Sequence, residues 1–177
     1  SPIFCNDPSI QHFSDLIALN SAAETGCNLG TTHFDNFAYS VSGTGPAAAQ
    51  TASLVSVTVN PDTMLFSFGA AWNVFTGQSA TGSITFTVSD PTAMINSLAN
   101  GFVGSQTGNT SHTYLATCTG GTCGSPTNFT SGTAGIPGTH GPLTITNSFT
   151  ISAVAGNPIN QEHLSIMLGV QRTTVTA

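Results

Sequence analysis

His33 and Asp35 stand two residues apart in THFDNFAYSV, so on a strand they share one face and can begin a metal or acid–base site. A solvated strand face explains the same polar residues, interleaved with Phe34, Phe37 and Tyr39. Gln161-Glu162-His163 can lend ligands to a folded site, but residues of a surface turn account for it more simply. A glycosidase needs two carboxyls facing one another across a cleft. Asp35 and Glu162 can be combined in that way, yet nothing in the sequence selects them from the other carboxylates. Of those, Asp7, Asp62 and Asp90 adjoin a proline, as turn residues do.

Nucleophiles are no better marked. There is no G-x-S-x-G elbow, and Gly104-Ser105 and Gly124-Ser125 lack the strand-turn-helix context that would give that motif meaning. The histidines His12, His33, His112, His140 and His163 show neither H-x-H nor H-E-x-x-H spacing, and no phosphate loop or dinucleotide fingerprint occurs. The expectation is a protein that is not an enzyme, with no catalytic residue, metal or cofactor. Trp72, with Tyr39 and Tyr114, can offer a stacking platform for sugar rings, although a single Trp in an apolar run reads first as core. Asn109-Thr110-Ser111 and Asn128-Phe129-Thr130 match the N-glycosylation pattern, and the hydroxyls after Cys123 are alternative glycan acceptors.

Charge excludes whole classes of partner. Only 5% of the 177 residues are charged, against roughly a quarter in ordinary soluble domains, and Arg172 is the sole Lys or Arg. A formal net charge of -6 cannot neutralise phosphates, so nucleic acid and anionic lipid are excluded as expected partners. Low charge also removes a usual guard against association of strand edges.

Four cysteines allow three connectivities, and pairing Cys5 with Cys27 and Cys118 with Cys123 closes the shortest loops. A zinc reading of the C-x4-C pair competes, but TGGT between the cysteines is a tight turn and the other pair lacks ligand spacing. Disulfides imply an oxidising compartment. No stretch is apolar and long enough to span a bilayer, and a start at Ser1-Pro2 without Met fits removal of a signal peptide.

The elements that must position these residues are mostly strands. SLVSVTVN, TMLFSFGAAW and SITFTVSD, within residues 53–90, alternate apolar and hydroxyl side chains with period two and read as an antiparallel meander. Residues 1–30 form a disulfide-closed segment with one amphipathic helix of about three turns, capped by Ser9 and packed on a sheet through Ile10, Phe13, Leu16 and Ile17. Residues 31–42 are a strand and residues 43–52 a loop of small residues. Residues 92–104 read as a strand with a hairpin turn at Asn100-Gly101, and residues 111–119 as another strand. Residues 120–142, rich in Gly, Ser, Thr and Pro, read as a long surface loop with at most a short strand near Phe129. LTITNSFTISAV breaks its alternation at Asn147-Ser148, read as a bulge, and LSIMLGVQR closes the pattern. Seven to nine strands and one short N-terminal helix predict a single all-β domain over residues 1–177, an antiparallel β-sandwich or jelly roll.

Cys5, the DLIAL helix, Gly26-Cys27, Leu29-Gly30, HFDNFAYSV, VSVTVNPDTMLFSFGAAW and GSITFTV follow one another in an order that resembles a family of exported bacterial proteins with a C-terminal PEP-type sorting signal. The likeness covers roughly residues 5–125, including the later cysteine pair, while Val175-Thr176-Ala177 carries no PEP motif. The resemblance implies export, processing by exosortase-like machinery and association with the cell surface or biofilm matrix, with no typical enzymatic activity.

The sequence therefore predicts a secreted structural protein, a subunit that associates with copies of itself in an extracellular fibre, surface layer or matrix. Strand addition through Ser1, Pro2, Ile3 and Phe4 or through Thr173, Thr174, Val175, Thr176 and Ala177 is the expected route. The alternative is an extracellular carbohydrate-binding or adhesive module that takes matrix polysaccharide.

Overall fold

The structure, a computed structural model, describes residues 2–129, 132–156 and 160–173. Two sheets pack face to face. The seven-stranded sheet has the order β1-β2-β3-β6-β11-β8-β9 and the five-stranded sheet the order β10-β7-β12-β5-β4. Their strands are β1 (Ile3–Phe4), β2 (Cys27–Leu29), β3 (Thr32–Gly43), β4 (Ser56–Asn60), β5 (Leu65–Phe75), β6 (Ser79–Ser89), β7 (Met94–Thr107), β8 (Thr110–Gly120), β9 (Gly124–Phe129), β10 (Gly132–Thr139), β11 (Leu143–Ala153) and β12 (Gln161–Thr173). All pairings are antiparallel except β1 with β2, which run parallel. An all-β sandwich is thus what the alternating patterns specify, with more strands than the seven to nine expected.

The meander expected over residues 53–90 is corrected. β4 and β5 do form a hairpin, but β6 lies in the other sheet between β3 and β11. The chain crosses between sheets after β5 because the inward residues of β6, Ile84, Phe86 and Val88, must face those of β5 across the core. Phe34, Phe66 and Phe86 meet there with ring centroids 4.9–5.8 Å apart. At β11 the expected bulge is absent: Asn147 pairs in continuous register with Ile84 and Ala116 and points inward with Leu143, Ile145, Phe149 and Ile151. Its buried side-chain amide donates to Asn100 Oδ1 at 2.7 Å, so the alternation continues through a polar residue that finds a polar partner.

Asn100-Gly101 is not a turn. β7 runs straight through it, because Asn100 is held by Leu168 on one side and Gly132 on the other. Residues 120–142 are also not a loop: β9 pairs with β8, and β10 with β7. These strands are made of small residues joined by backbone ladders, which leave no apolar period to read.

The N-terminal helix is shorter than expected. α1 spans Phe13–Ala18 and is followed by a 3-10 turn, Leu19–Ser21. Ser9 does not cap it; the Ser9 N–H and hydroxyl both donate to Asp7 Oδ1 at 2.9 and 2.7 Å in a preceding turn. The helix instead starts after His12, where Asp15 reaches back to accept the backbone N–H of Gln11 and of His12, both at 2.9 Å. Phe13 and Leu16 are fully buried, worth about 1.5–3 kcal/mol each. Phe13 N–H donates to Val55 O and Val57 N–H to Gln11 O, so this segment covers the outer edge of β4 that would otherwise be open to another chain.

Both local disulfides, Cys5–Cys27 and Cys118–Cys123, are formed. Among the described residues no helix is long and apolar enough to cross a membrane.

Candidate ligand cleft

His33 and Asp35 do come together on β3, with His33 Nε2 3.3 Å from Asp35 Oδ2. The pair is a local brace, and neither residue lines the cleft described below. His33 Nδ1 lies 2.7 Å from Asn28 Oδ1, the Thr25 hydroxyl donates to Asp35 Oδ2 at 2.6 Å, and the Asn36 N–H donates to Asp35 Oδ1 at 2.8 Å. Burial pushes the Asp35 carboxyl up, but these hydrogen bonds together hold it below the usual carboxylate range.

Glu162 does not meet Asp35, and it is no surface-turn residue. It is fully buried on β12, opposite Val74 of β5 and Gln106 of β7. Its Oε1 accepts the Tyr114 hydroxyl at 2.5 Å and the Gln106 amide at 3.3 Å, and lies 2.9 Å from His112 Nδ1. His163, one residue on, has its Nδ1 2.5 Å from Asn73 Oδ1. Alternation along β12 sends the two side chains to opposite faces, so the three-residue ligand set is split. Among the described residues no three His, Cys, Asp or Glu side chains gather as a metal site.

Trp72 is core, with no exposed surface, and its indole N–H donates to the Tyr39 hydroxyl at 3.0 Å. It cannot serve as a sugar platform, which corrects the site expected for the carbohydrate-binding alternative. Tyr114 is half-buried between the rings of Phe102 and His112, whose centroids lie 5.0 and 4.3 Å away.

An open cleft of about 990 Å³ lies at the end of the sandwich opposite Glu162. One wall comes from the seven-stranded sheet, with Phe4, Asn6, Leu29 and Gly30; the other comes from the five-stranded sheet, with Pro61–Met64, Asn96, Val170 and Arg172. Local sequence explains each wall. β1 is a two-residue edge strand fixed by Cys5, whose N–H donates to Asn28 O at 3.0 Å and whose sulfur joins Cys27. Phe4 therefore projects from an anchored backbone with 64% of its surface exposed. The Pro61–Met64 turn closes on Asn60 Oδ1, which accepts the N–H of Asp62 at 3.0 Å and of Thr63 at 3.4 Å.

Arg172 is held from beneath. Its Nη1 donates to the Thr31 hydroxyl at 2.6 Å and to Asp90 Oδ2 at 3.0 Å. A side chain on Gly30, at φ +61°, would begin 2.8 Å from Arg172 Nη2, so glycine is what lets the guanidinium lie there. Asp90 is fully buried and accepts the Thr31 and Thr32 hydroxyls at 2.9 and 2.8 Å and the N–H groups of Thr92 and Ala93 at 2.9 and 2.8 Å. Burial pushes its carboxyl up, but the backbone donors of Ala93 and Thr92 and the two threonine hydroxyls outweigh it and bring the pKa to about 2.

Of the residues expected to exchange strands, Ser1 and Thr174–Ala177 lie outside the described residues. Ile3 and Phe4 pair with Cys27 and Asn28 of the same chain, and Thr173 pairs with Met94. Sequence reasoning marked Phe4 as part of a sticky end and noted Arg172 only as the lone cation. That lone cation was the available signal.

No family model matches the sequence, and no curated protein matches it. Among solved structures, the chain is similar to the carbohydrate-binding module TmCBM61, determined in complex with beta-1,4-galactotriose; the identity is 12% over 76% of this chain and 88% of that one, with a TM-score of 0.37.

Proposed function

We propose that the protein is an exported, non-catalytic module that binds glycan in the cleft between its sheet ends. One observation carries this reading: an exposed aromatic ring, Phe4, shares an open cleft with amide and hydroxyl side chains and with the Arg172 guanidinium, which Thr31 and Asp90 hold in place. A pyranose offers an apolar C–H face and a rim of hydroxyls, and that pair of surfaces calls for a ring beside several polar groups. The other exposed large apolar residues, Leu54, Phe75, Val103 and Val154, lie outside this cleft and need no ligand to explain them. Two disulfides support an extracellular location.

The test is affinity electrophoresis of the purified protein through gels containing neutral polysaccharides, followed by calorimetry on any polymer that retards it. Phe4→Ala is expected to weaken retention at least tenfold. Absence of binding to every polymer, or unchanged binding by Phe4→Ala, defeats the reading.

A second reading has one observation in its favour. Phe4 and Arg172 bring the two ends of the chain to the same cleft, so a terminal segment of another copy is the competing occupant. Assembly would then grow with protein concentration, would be lost on trimming either end, and would not respond to added glycan.

A further inference from the structure

We infer that the cleft selects uncharged glycans over acidic ones, and that Asp90 is the positioning residue responsible. This rests on the glycan-binding reading above. A lone arginine in an acidic protein looks at first like a receptor for a carboxylate-bearing sugar, since a guanidinium fork matches a carboxylate in two parallel bonds. The surroundings of Arg172 argue otherwise. Asp90, 3.0 Å away and fully buried, cancels its charge and takes one side of the fork. Thr31 takes another Nη1 donor, so the nitrogen facing the protein is already committed. A guanidinium has about five N–H donors in all. Among the described residues only Nη1 is engaged, which leaves the other donors to meet ligand hydroxyls, with their direction set by Asp90 and by the space above Gly30.

Among the described lining residues Arg172 is the only cationic side chain. Asp62 stands exposed on the rim, so the formal balance of Arg172, Asp90 and Asp62 is negative. The chain as a whole carries -6. A polyuronate approaching this face meets repulsion with no uncompensated cation to offset it, whereas a neutral hexose polymer meets fixed donors and acceptors at little desolvation cost. The polar lining also includes Asn6 and Thr63, uncharged groups suited to hydroxyls.

The experiment compares a neutral galactan with polygalacturonate in affinity gels and by calorimetry, using the whole protein. Wild type is expected to bind the galactan at least tenfold more tightly, with binding unchanged between low salt and about 0.5 M salt, because no net charge is neutralised. Arg172→Gln weakens galactan binding about tenfold by removing fixed donors. Asp90→Asn leaves Arg172 uncompensated and raises polygalacturonate affinity relative to galactan. If that variant fails to fold, Asp62→Asn reads the same balance at an exposed site and narrows the preference about tenfold. Polygalacturonate bound as tightly as galactan, with binding lost in salt, overturns the inference while the cleft stands as a glycan site. Failure of both polymers to bind, in a protein that also ignores the wider neutral panel, removes the glycan-binding reading itself.

Discussion

Arg172 and Asp90 lie 82 residues apart in the chain, and their side chains meet at 3.0 Å beneath the cleft. The contact ties the end of β12, in one sheet, to the end of β6, in the other, and Thr31 bridges both partners. Removing Asp90 leaves two hydroxyls, two backbone N–H groups and a guanidinium without their acceptor. Asp90→Ala is therefore expected to cost about 3 kcal/mol, measured by urea unfolding. A loss below about 1 kcal/mol would show that water replaces the carboxylate and that the hub is dispensable.

The same carboxylate predicts an acid limb. Its folded pKa of about 2 lies below the ordinary aspartate value of 3.8, so the folded state binds fewer protons across that interval. The stability it contributes is complete above the unfolded value and is lost as pH falls toward about 2, amounting to about 2 kcal/mol. Asp7, Asp15 and Asp35 are also lowered and act in the same direction, so the comparison must be between wild type and Asp90→Asn. The variant's stability should fall less steeply between pH 4 and pH 2. Parallel curves would refute the assignment.

Phe4 separates binding from folding. The ring is 64% exposed and its neighbour Cys5 anchors the strand, so Phe4→Ala should change unfolding free energy by no more than about 0.5 kcal/mol. Glycan retention should fall at least tenfold. A substitution that lowers both together would mean the ring is packed in solution and is no platform.

Strands β6, β11 and β12 were legible because each places apolar residues inward at every second position, opposite hydroxyl or amide residues. Asn147 interrupted that pattern only in polarity: a buried amide paired with Asn100 keeps the geometry and hides it from hydropathy. β10 was illegible for the opposite reason, since Gly132–Thr139 is held by ladder bonds to β7 and needs no large side chains. The hairpin signal of Asn100-Gly101 lost to strands on both sides, and Gln161-Glu162-His163 looked like a turn until β5 and β7 enclosed it. The cleft was the least legible feature. It joins residues from both ends of the chain, and only the topology brings Phe4 and Arg172 to one place.

The first disulfide anchors the strand that carries Phe4 to that cleft and also closes the N-terminal segment. Replacing Cys5 and Cys27 by Ser releases the closed N-terminal segment at a cost of about 3 kcal/mol on the chain-entropy model, against about 2 kcal/mol for the much shorter Cys118–Cys123 loop. It also unpins β1 and Phe4. Loss of glycan binding at a temperature where the double variant remains folded, with binding retained when the Cys118–Cys123 pair is replaced, is the expected pattern. Equal effects of the two replacements would place the cleft elsewhere.

At the far end of β12, Tyr114 donates to Glu162 Oε1 at 2.5 Å. Burial pushes the Tyr114 hydroxyl well above the usual phenol range, and the hydrogen bond to Glu162 and its charge push it further. Tyr39, the only other tyrosine, is also raised by burial, with the Trp72 N–H partly offsetting it. A folded pKa above the unfolded one means that the contribution to stability is complete below the unfolded value near 10 and is lost as pH rises through the folded value. The Tyr114 share of the phenolate absorbance should thus stay absent while the protein is folded at about pH 10.5, where a free tyrosine is mostly ionised. It should appear only together with unfolding. Glu162→Gln keeps the shape but removes the charge, so Tyr114 should ionise at lower pH than in wild type while staying raised by burial. An ordinary phenolate titration in a protein whose circular dichroism is unchanged would show that the Tyr114–Glu162 contact is open to water.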